Sequence, residues 1–349
     1  MAVSPVLKTS ICKSNISTST SLRFYVRREL NVVGDVNLTR LSLYNAFKLL
    51  CDQELIYQEL MSDLSISSFC RTGVVDTSVI LEADSDCHIM EEHLQNMTLT
   101  TGDVVAIGQY LSALTMKTYA ANTHIHKMLQ SKFYGGTQRE TIVRRVFEEP
   151  LRRAQTIIGS EIKGFGDKEF LQKMDTLSAK FVGLSKSVVH GNFTANNIVL
   201  KDSGCGGRIL AFGSELSHLG NPIYDVGTIV GDMFVWYYIH EMSDKPMKER
   251  DNFCSTIREC IIQFLSTYID RFFLLVEEDA SLANIKRLAA GYAGVSVLFR
   301  AAGNDWNKQL PIGCGDVRDA ILACGYRLID GFEKVETFSQ LVSLGLALS

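Results

Sequence analysis

The sequence predicts an α+β protein with a small β-rich N-terminal lobe and a larger, mainly helical C-terminal lobe. Two observations carry this. Short apolar and β-branched runs separated by turn signals dominate the first quarter of the chain, whereas apolar residues recur at helical intervals from Asp103 onward. A single β-like segment, 187–212, is embedded in the helical part. Residues 1–28 are set apart as an N-terminal extension, 29–95 as the β-rich lobe and 96–349 as the helical lobe.

Arg23 to Leu43 is β-like around the turn signal Val33-Gly34-Asp35. Glu54 to Leu64 has helical spacing, Val74 to Leu81 and His88 to Leu94 read as strands, and Asp103 to Thr118 reads as a helix. Within 187–212, Val188-Val189, Ile198-Val199-Leu200 and Ile209-Leu210-Ala211-Phe212 are short apolar runs. The last two form a hairpin expectation across the Gly-rich turn Asp202 to Gly207. The longest apolar stretch, Val226 to Ile239, is interrupted by Asp232 and is too short to cross a bilayer, so it is expected as a core helix.

With 349 residues, 46% hydrophobic and 21% charged, and only five prolines, the chain has the balance of a folded globular protein large enough for two lobes. A formal net charge of −4 without a basic run gives no electrostatic reason to expect nucleic acid or an anionic membrane as partner, and no membrane insertion is expected. Nine cysteines without a CxxC pair fit reduced thiols better than a disulfide framework or a zinc site. That favours a cytoplasmic location. The alternative is a mitochondrion or plastid, because residues 1–28 carry Lys8, Lys13, Arg23, Arg27 and Arg28 with no acidic residue and many Ser and Thr. A flexible or strand-forming N-terminus is placed slightly ahead of a targeting segment.

The most informative segment runs Val189-His190-Gly191-Asn192-Phe193-Thr194-Ala195-Asn196-Asn197-Ile198-Val199-Leu200, followed by Gly213-Ser214-Glu215 and by Gly220-Asn221-Pro222-Ile223-Tyr224-Asp225-Val226-Gly227. It resembles the catalytic core of the aminoglycoside phosphotransferase and choline kinase-like superfamily, and within it the methylthioribose kinase family, where HGD and DxE motifs precede a Phe-Asp. Outlying segments extend the resemblance in the same order. Gly34-Asp35-Val36-Asn37-Leu38 is similar to the family's phosphate loop, Glu54 to Glu59 to a helix motif of the small lobe, and Gly291 to Gly303 to the segment that carries twin substrate arginines. The resemblance implies a protein-kinase-like two-lobed fold.

It also implies roles. Asn192 stands in place of the catalytic Asp and Gly213 in place of the first metal-binding Asp, leaving Asn197 and Glu215 as the remaining metal ligands. Gly34, Asn37, Lys48 and Met90 stand at or near the nucleotide positions, Arg300 at the second substrate arginine, and Asp225 and His190 at structural positions. Lys48 is the candidate for the lysine that holds the α- and β-phosphates, at a shorter interval from the Glu54 helix than in the family. Four of these features depart from what phosphoryl transfer requires. A neutral amide at 192 cannot accept a hydroxyl proton, glycine at 213 offers magnesium no oxygen, Val36 replaces a loop glycine, and Phe299 replaces the first arginine.

The expectation is therefore a catalytically inactive member, a pseudokinase with a scaffolding, structural or regulatory role. No cofactor is expected, with weak or no ATP and magnesium binding, and the partner is expected to be another protein or a second copy. The rivals are an atypical kinase of methylthioribose or a related alcohol, and a non-catalytic ligand-binding module. Simpler roles are weighed for individual residues. Asp225 also fits the N-cap of a helix starting at Val226, and His190 fits a buried histidine bonded to backbone. Met90-Glu91-Glu92 fits either an adenine-facing hinge or an exposed acidic turn. His124, His126, His218 and His240 are expected as ordinary surface or core histidines, and the sequon at Asn192 is expected to be unused.

Overall fold

The computed structural model describes residues 5–14, 23–32, 71–75, 78–83, 87–119, 143–158, 162, 164–183, 187–201, 208–211, 217–272, 282–302 and 315–346. Gly34, Val36, Asn37, Lys48, the Glu54 helix, His124, His126, Gly213 and Glu215 lie outside these residues.

Four strands form an antiparallel sheet in the order β1-β2-β4-β3, made of β1 (Pro5–Ser14), β2 (Arg23–Val32), β3 (Arg71–Val75) and β4 (Ser78–Ala83). Pro5 pairs with Val32 and Ser14 with Arg23, so the boundary drawn at 28/29 falls inside β2, and residues 5–14 belong to the sheet. The expected strand over Val74 to Leu81 is two strands, because Val75 and Ser78 face each other across a reversal.

The strand expected over His88 to Leu94 is shorter. β5 (Cys87–Ile89) gives way at Met90 to α1 (Met90–Gln95), with Glu91 and Glu92 in its first turn, where the helix dipole favours negative charge. The apolar pair Met90 and Leu94, both fully buried, has a spacing of four, which keeps two side chains on one face of a strand and also on one face of a helix. Periodicity alone was therefore ambiguous here. β5 pairs not with the four-stranded sheet but with β7 (Ile198–Lys201), which pairs in turn with β8 (Arg208–Ala211), the expected hairpin.

α2 (Thr101–Thr118) begins with a capping box. The Asp103 N–H donates to Thr100 Oγ1 at 3.3 Å while the Thr100 N–H donates to Asp103 Oδ2 at 2.9 Å. Its buried Val104, Ile107, Leu111 and Leu114 lie at helical spacing. A π-helical turn, Arg144–Glu148, leads into α3 (Glu149–Ile158), and α4 (Lys168–Gly183) follows. Then β6 (Ser187–Val189) pairs with β9 (His218–Gly220), and the chain enters α5 (Ile223–Glu241). α6 (Met247–Phe272), α7 (Leu282–Ala302), α8 (Gly315–Gly331) and α9 (Phe338–Leu346) complete the described helices.

α5 is the centre of the core, with every residue from Ile223 to His240 buried, as a helix apolar nearly all round requires. It packs along α7, and the approach is close. A Cβ placed on Gly227 would lie 2.4 Å from Tyr292 Cβ, and one on Gly231 2.8 Å from the Ala293 carbonyl oxygen. No helix among the described residues is long and apolar enough to cross a membrane. Cys254, Cys260 and Cys324 are buried, unbridged thiols, each pushed up to about 12 by burial.

Candidate functional site

The segment that leaves β6 and returns into β7, 190–197, is a loop closed by a 3-10 turn, Ala195–Asn197, and α5 runs directly beneath it. Two carboxylates seven residues apart on α5 hold its backbone. Asp225 Oδ2 accepts the His190 N–H at 2.6 Å and Asp225 Oδ1 accepts the Gly191 N–H at 2.9 Å. Two turns further on, Asp232 Oδ2 accepts the Ala195 N–H at 2.7 Å. A spacing of seven puts both side chains on one face of the helix. Gly191 has φ +79°, in the region where a side chain is strained, which explains a glycine between the histidine and Asn192.

Asp225 is not an N-cap. α5 starts at Ile223, so Asp225 sits in its first turn, and its carboxylate is spent on the loop rather than on the helix's own N–H groups. Burial pushes its carboxyl up to about 7, while the two backbone N–H bonds pull it back toward the charged form.

His190 is fully buried. Its Nδ1 accepts the Asn192 N–H at 3.3 Å, its carbonyl accepts from Ser217 Oγ at 2.9 Å, and its ring meets Phe193 edge to face. Phe193 stacks on Tyr110 of α2 and pins the loop from the other side. Asn197 Nδ2 donates to the Asn192 carbonyl at 2.9 Å and to Thr194 Oγ1 at 3.1 Å, so its NH₂ is committed to the loop. Among the described residues no three His, Cys, Asp or Glu side chains converge where a metal could sit.

Of the residues expected at the site, the structure brings His190, Asn192, Asn197 and Asp225 together and places two others below them. Met90 is fully buried in the apolar core at the start of α1. Arg300, in the last turn of α7, has a side chain only 7% exposed; its Nη2 donates to Glu91 Oε1 at 3.0 Å and its Nε lies 3.1 Å from Asp232 Oδ1. Burial works against the Arg300 charge, but Asp232 and Glu91 outweigh it and hold the pKa above its ordinary value. For Asp232, burial raises the pKa and Arg300 draws it back. Glu91 is thus an ion-pair partner of α7, which neither the hinge nor the exposed-turn reading anticipated. Asp232, which fastens the loop through the Ala195 N–H, is the position that sequence reasoning passed over; its signal was a lone charge in the longest apolar run.

His218 packs its ring on Phe181 of α4, and His240 Nε2 bonds the Leu94 carbonyl at 2.8 Å, anchoring the end of α1 to α5. Phe193 and Thr194 of the Asn192 sequon are buried in this loop.

No protein-family model matches the chain, and no curated protein matches it. Among solved structures, a Plasmodium vivax ethanolamine kinase is 13% identical, covering 95% of this chain and 83% of its own, with a TM-score of 0.45. An aminoglycoside phosphotransferase in complex with GDP and kanamycin is 8% identical, covering 93% of each chain, also at 0.45. A microcompartment-associated aminopropanol kinase is 11% identical, covering 98% of this chain and 95% of its own, at 0.37. Scores below 0.5 do not establish a shared fold.

Proposed function

We propose that this chain is a two-lobed, kinase-like protein that no longer transfers phosphate and acts through its surface, as a scaffold or regulator. One observation supports the reading above the others. The loop 190–197 is built as a rigid, preformed turn, yet it carries a neutral amide, Asn192, where a proton acceptor would be needed. Among the described residues, Asp225 and Asp232 are the carboxylates that hold the loop, and both are buried beneath it. Asp225 accepts backbone N–H groups with both oxygens, and Asp232 accepts one with Oδ2 while Oδ1 faces Arg300 Nε, so neither is placed to receive a proton from an alcohol. Loss of a general base alone costs about 10²- to 10⁴-fold in rate.

Purified protein is therefore expected to show no ATP-dependent phosphorylation of methylthioribose, choline or an aminoglycoside. A turnover of about 1 per second, ordinary for an enzyme, would sink this reading. A homodimer or a stable place in a larger complex goes with it. Sedimentation of a strictly monomeric protein, with no partner copurifying from its native extract, would count against a scaffolding role.

A second reading, an atypical kinase, rests on Asn197. Its NH₂ is held by the loop, which fixes an amide oxygen of the kind magnesium accepts, and Glu215 is the second ligand this reading calls for. Transfer of phosphate from ATP separates the two.

A further inference from the structure

Two ion pairs and a hydrogen bond run in sequence from α1 to the loop. Glu91 of α1 takes the Nη2 of Arg300 at 3.0 Å, Arg300 Nε lies 3.1 Å from Asp232 Oδ1, and Asp232 Oδ2 accepts the Ala195 N–H at 2.7 Å. Asp232 is fully buried and the Arg300 side chain nearly so, whereas Glu91 reaches the surface at 24% exposure. An ion pair of this kind is a costly way to stabilise a core, because apolar residues of similar volume usually do as well or better. What it can supply is a defined geometry between elements far apart in sequence. Glu91 and Arg300 are 209 residues apart, and Ala195 and Asp232 are 37 apart.

We propose that Glu91, Arg300 and Asp232 form a latch that couples the position of α1 to the order of the loop 190–197. α1 follows β5 without a break, and β5 is paired to β7, the strand into which the loop runs, so both ends of the latch bear on the same strand pair. The Arg300 guanidinium opposes the effect of burial on Asp232 and favours its charged form, and a charged acceptor holds the Ala195 N–H roughly twice as strongly as a neutral one. If α1 shifts, Glu91 releases the guanidinium, Arg300 loosens on Asp232, and the carboxyl loses the partner that orients it on Ala195. A ligand or partner that moves α1 thus moves the loop carrying Asn192. This holds whether or not the loop catalyses anything.

The test is amide hydrogen exchange on the full chain, read at Ala195 and its neighbours, with α6 amides as the monitor of global stability. Glu91→Gln, at the partly exposed end, should speed exchange at Ala195 about tenfold or more while α6 stays protected. Arg300→Met should do so more strongly. The two changes combined should add little to Arg300→Met alone, because both interrupt one path. If Arg300→Met does not fold, Arg300→Lys serves, since lysine keeps the charge but cannot span both carboxylates in the guanidinium geometry. Unchanged exchange at Ala195 in Glu91→Gln, or fully additive effects in the double variant, overturns the proposal.

Discussion

Asp225 shows how one buried side chain can set a loop. Its two oxygens meet two consecutive N–H groups, an arrangement that a carboxylate satisfies and an amide cannot, because an amide presents one acceptor and one donor. Asp225→Asn should leave one of the His190 and Gly191 N–H groups facing an NH₂, at a cost of about 1–3 kcal/mol, seen as a lower urea midpoint with an unchanged slope. The pH dependence has a definite sign. The ordinary carboxyl value is 3.8 and burial raises it to about 7 in the folded chain. The folded state therefore binds this proton more tightly than the unfolded state. Its contribution to stability is fully present below about pH 4 and is lost as pH rises through about 7. Wild-type stability minus that of Asp225→Asn should fall between about pH 4 and about pH 7 and level off above, and terms from other groups cancel in the difference. A flat difference would show that the carboxyl titrates as it does in the unfolded chain.

At the scale of elements, the packing of α5 on α7 is a close joint beneath the site, with both loop-bearing carboxylates on α5 and Arg300 on α7. Gly227→Ala would gain up to about 1 kcal/mol of helix propensity, but its new methyl would sit 2.4 Å from Tyr292 Cβ, an atom with no flexible end to swing away. Overpacking of this kind costs about 1–3 kcal/mol, so a net loss of stability is expected. The control is Gly102→Ala near the start of α2, where the nearest heavy atom is Thr100 Oγ1 at 3.6 Å, and where the change should be neutral or slightly stabilising. Thermal melts of the two variants side by side check this. Equal melting temperatures would mean that the helices can separate at no cost.

For the whole molecule, the decisive question is whether nucleotide and metal still assemble on it. A ligand at 100 times its dissociation constant stabilises the folded state by about 2.7 kcal/mol, so millimolar ATP binding with micromolar affinity would raise the melting temperature visibly. Little or no rise is expected with ATP, with or without magnesium. The double change Asn192→Asp with Gly213→Asp returns two carboxylates and should bring back some magnesium dependence. A strong magnesium-dependent shift in the unmodified protein would move the conclusion to the atypical kinase.

Sequence alone determined the features that depend on local pattern. The helix at 101–118, the hairpin of β7 and β8, and the buried course of α5 follow from periodicity, turn residues and apolar run length, which act between near neighbours. The buried, backbone-bonded place of His190 was legible from the order of the residues around it, whereas the bond from the Asn197 NH₂ to the Asn192 carbonyl was not. Only the tertiary structure decided that Met90 opens a helix, because a spacing of four suits both periods. It alone decided that residues 5–14 pair into the N-terminal sheet, since strand pairing is a contact between segments. Above all, it joined Glu91, Arg300 and Asp232. Opposite charges carry no mark of which partner they will meet, and the choice is made by the packing of α1, α5 and α7, which buries Asp232 fully and the Arg300 side chain nearly so while leaving Glu91 partly exposed.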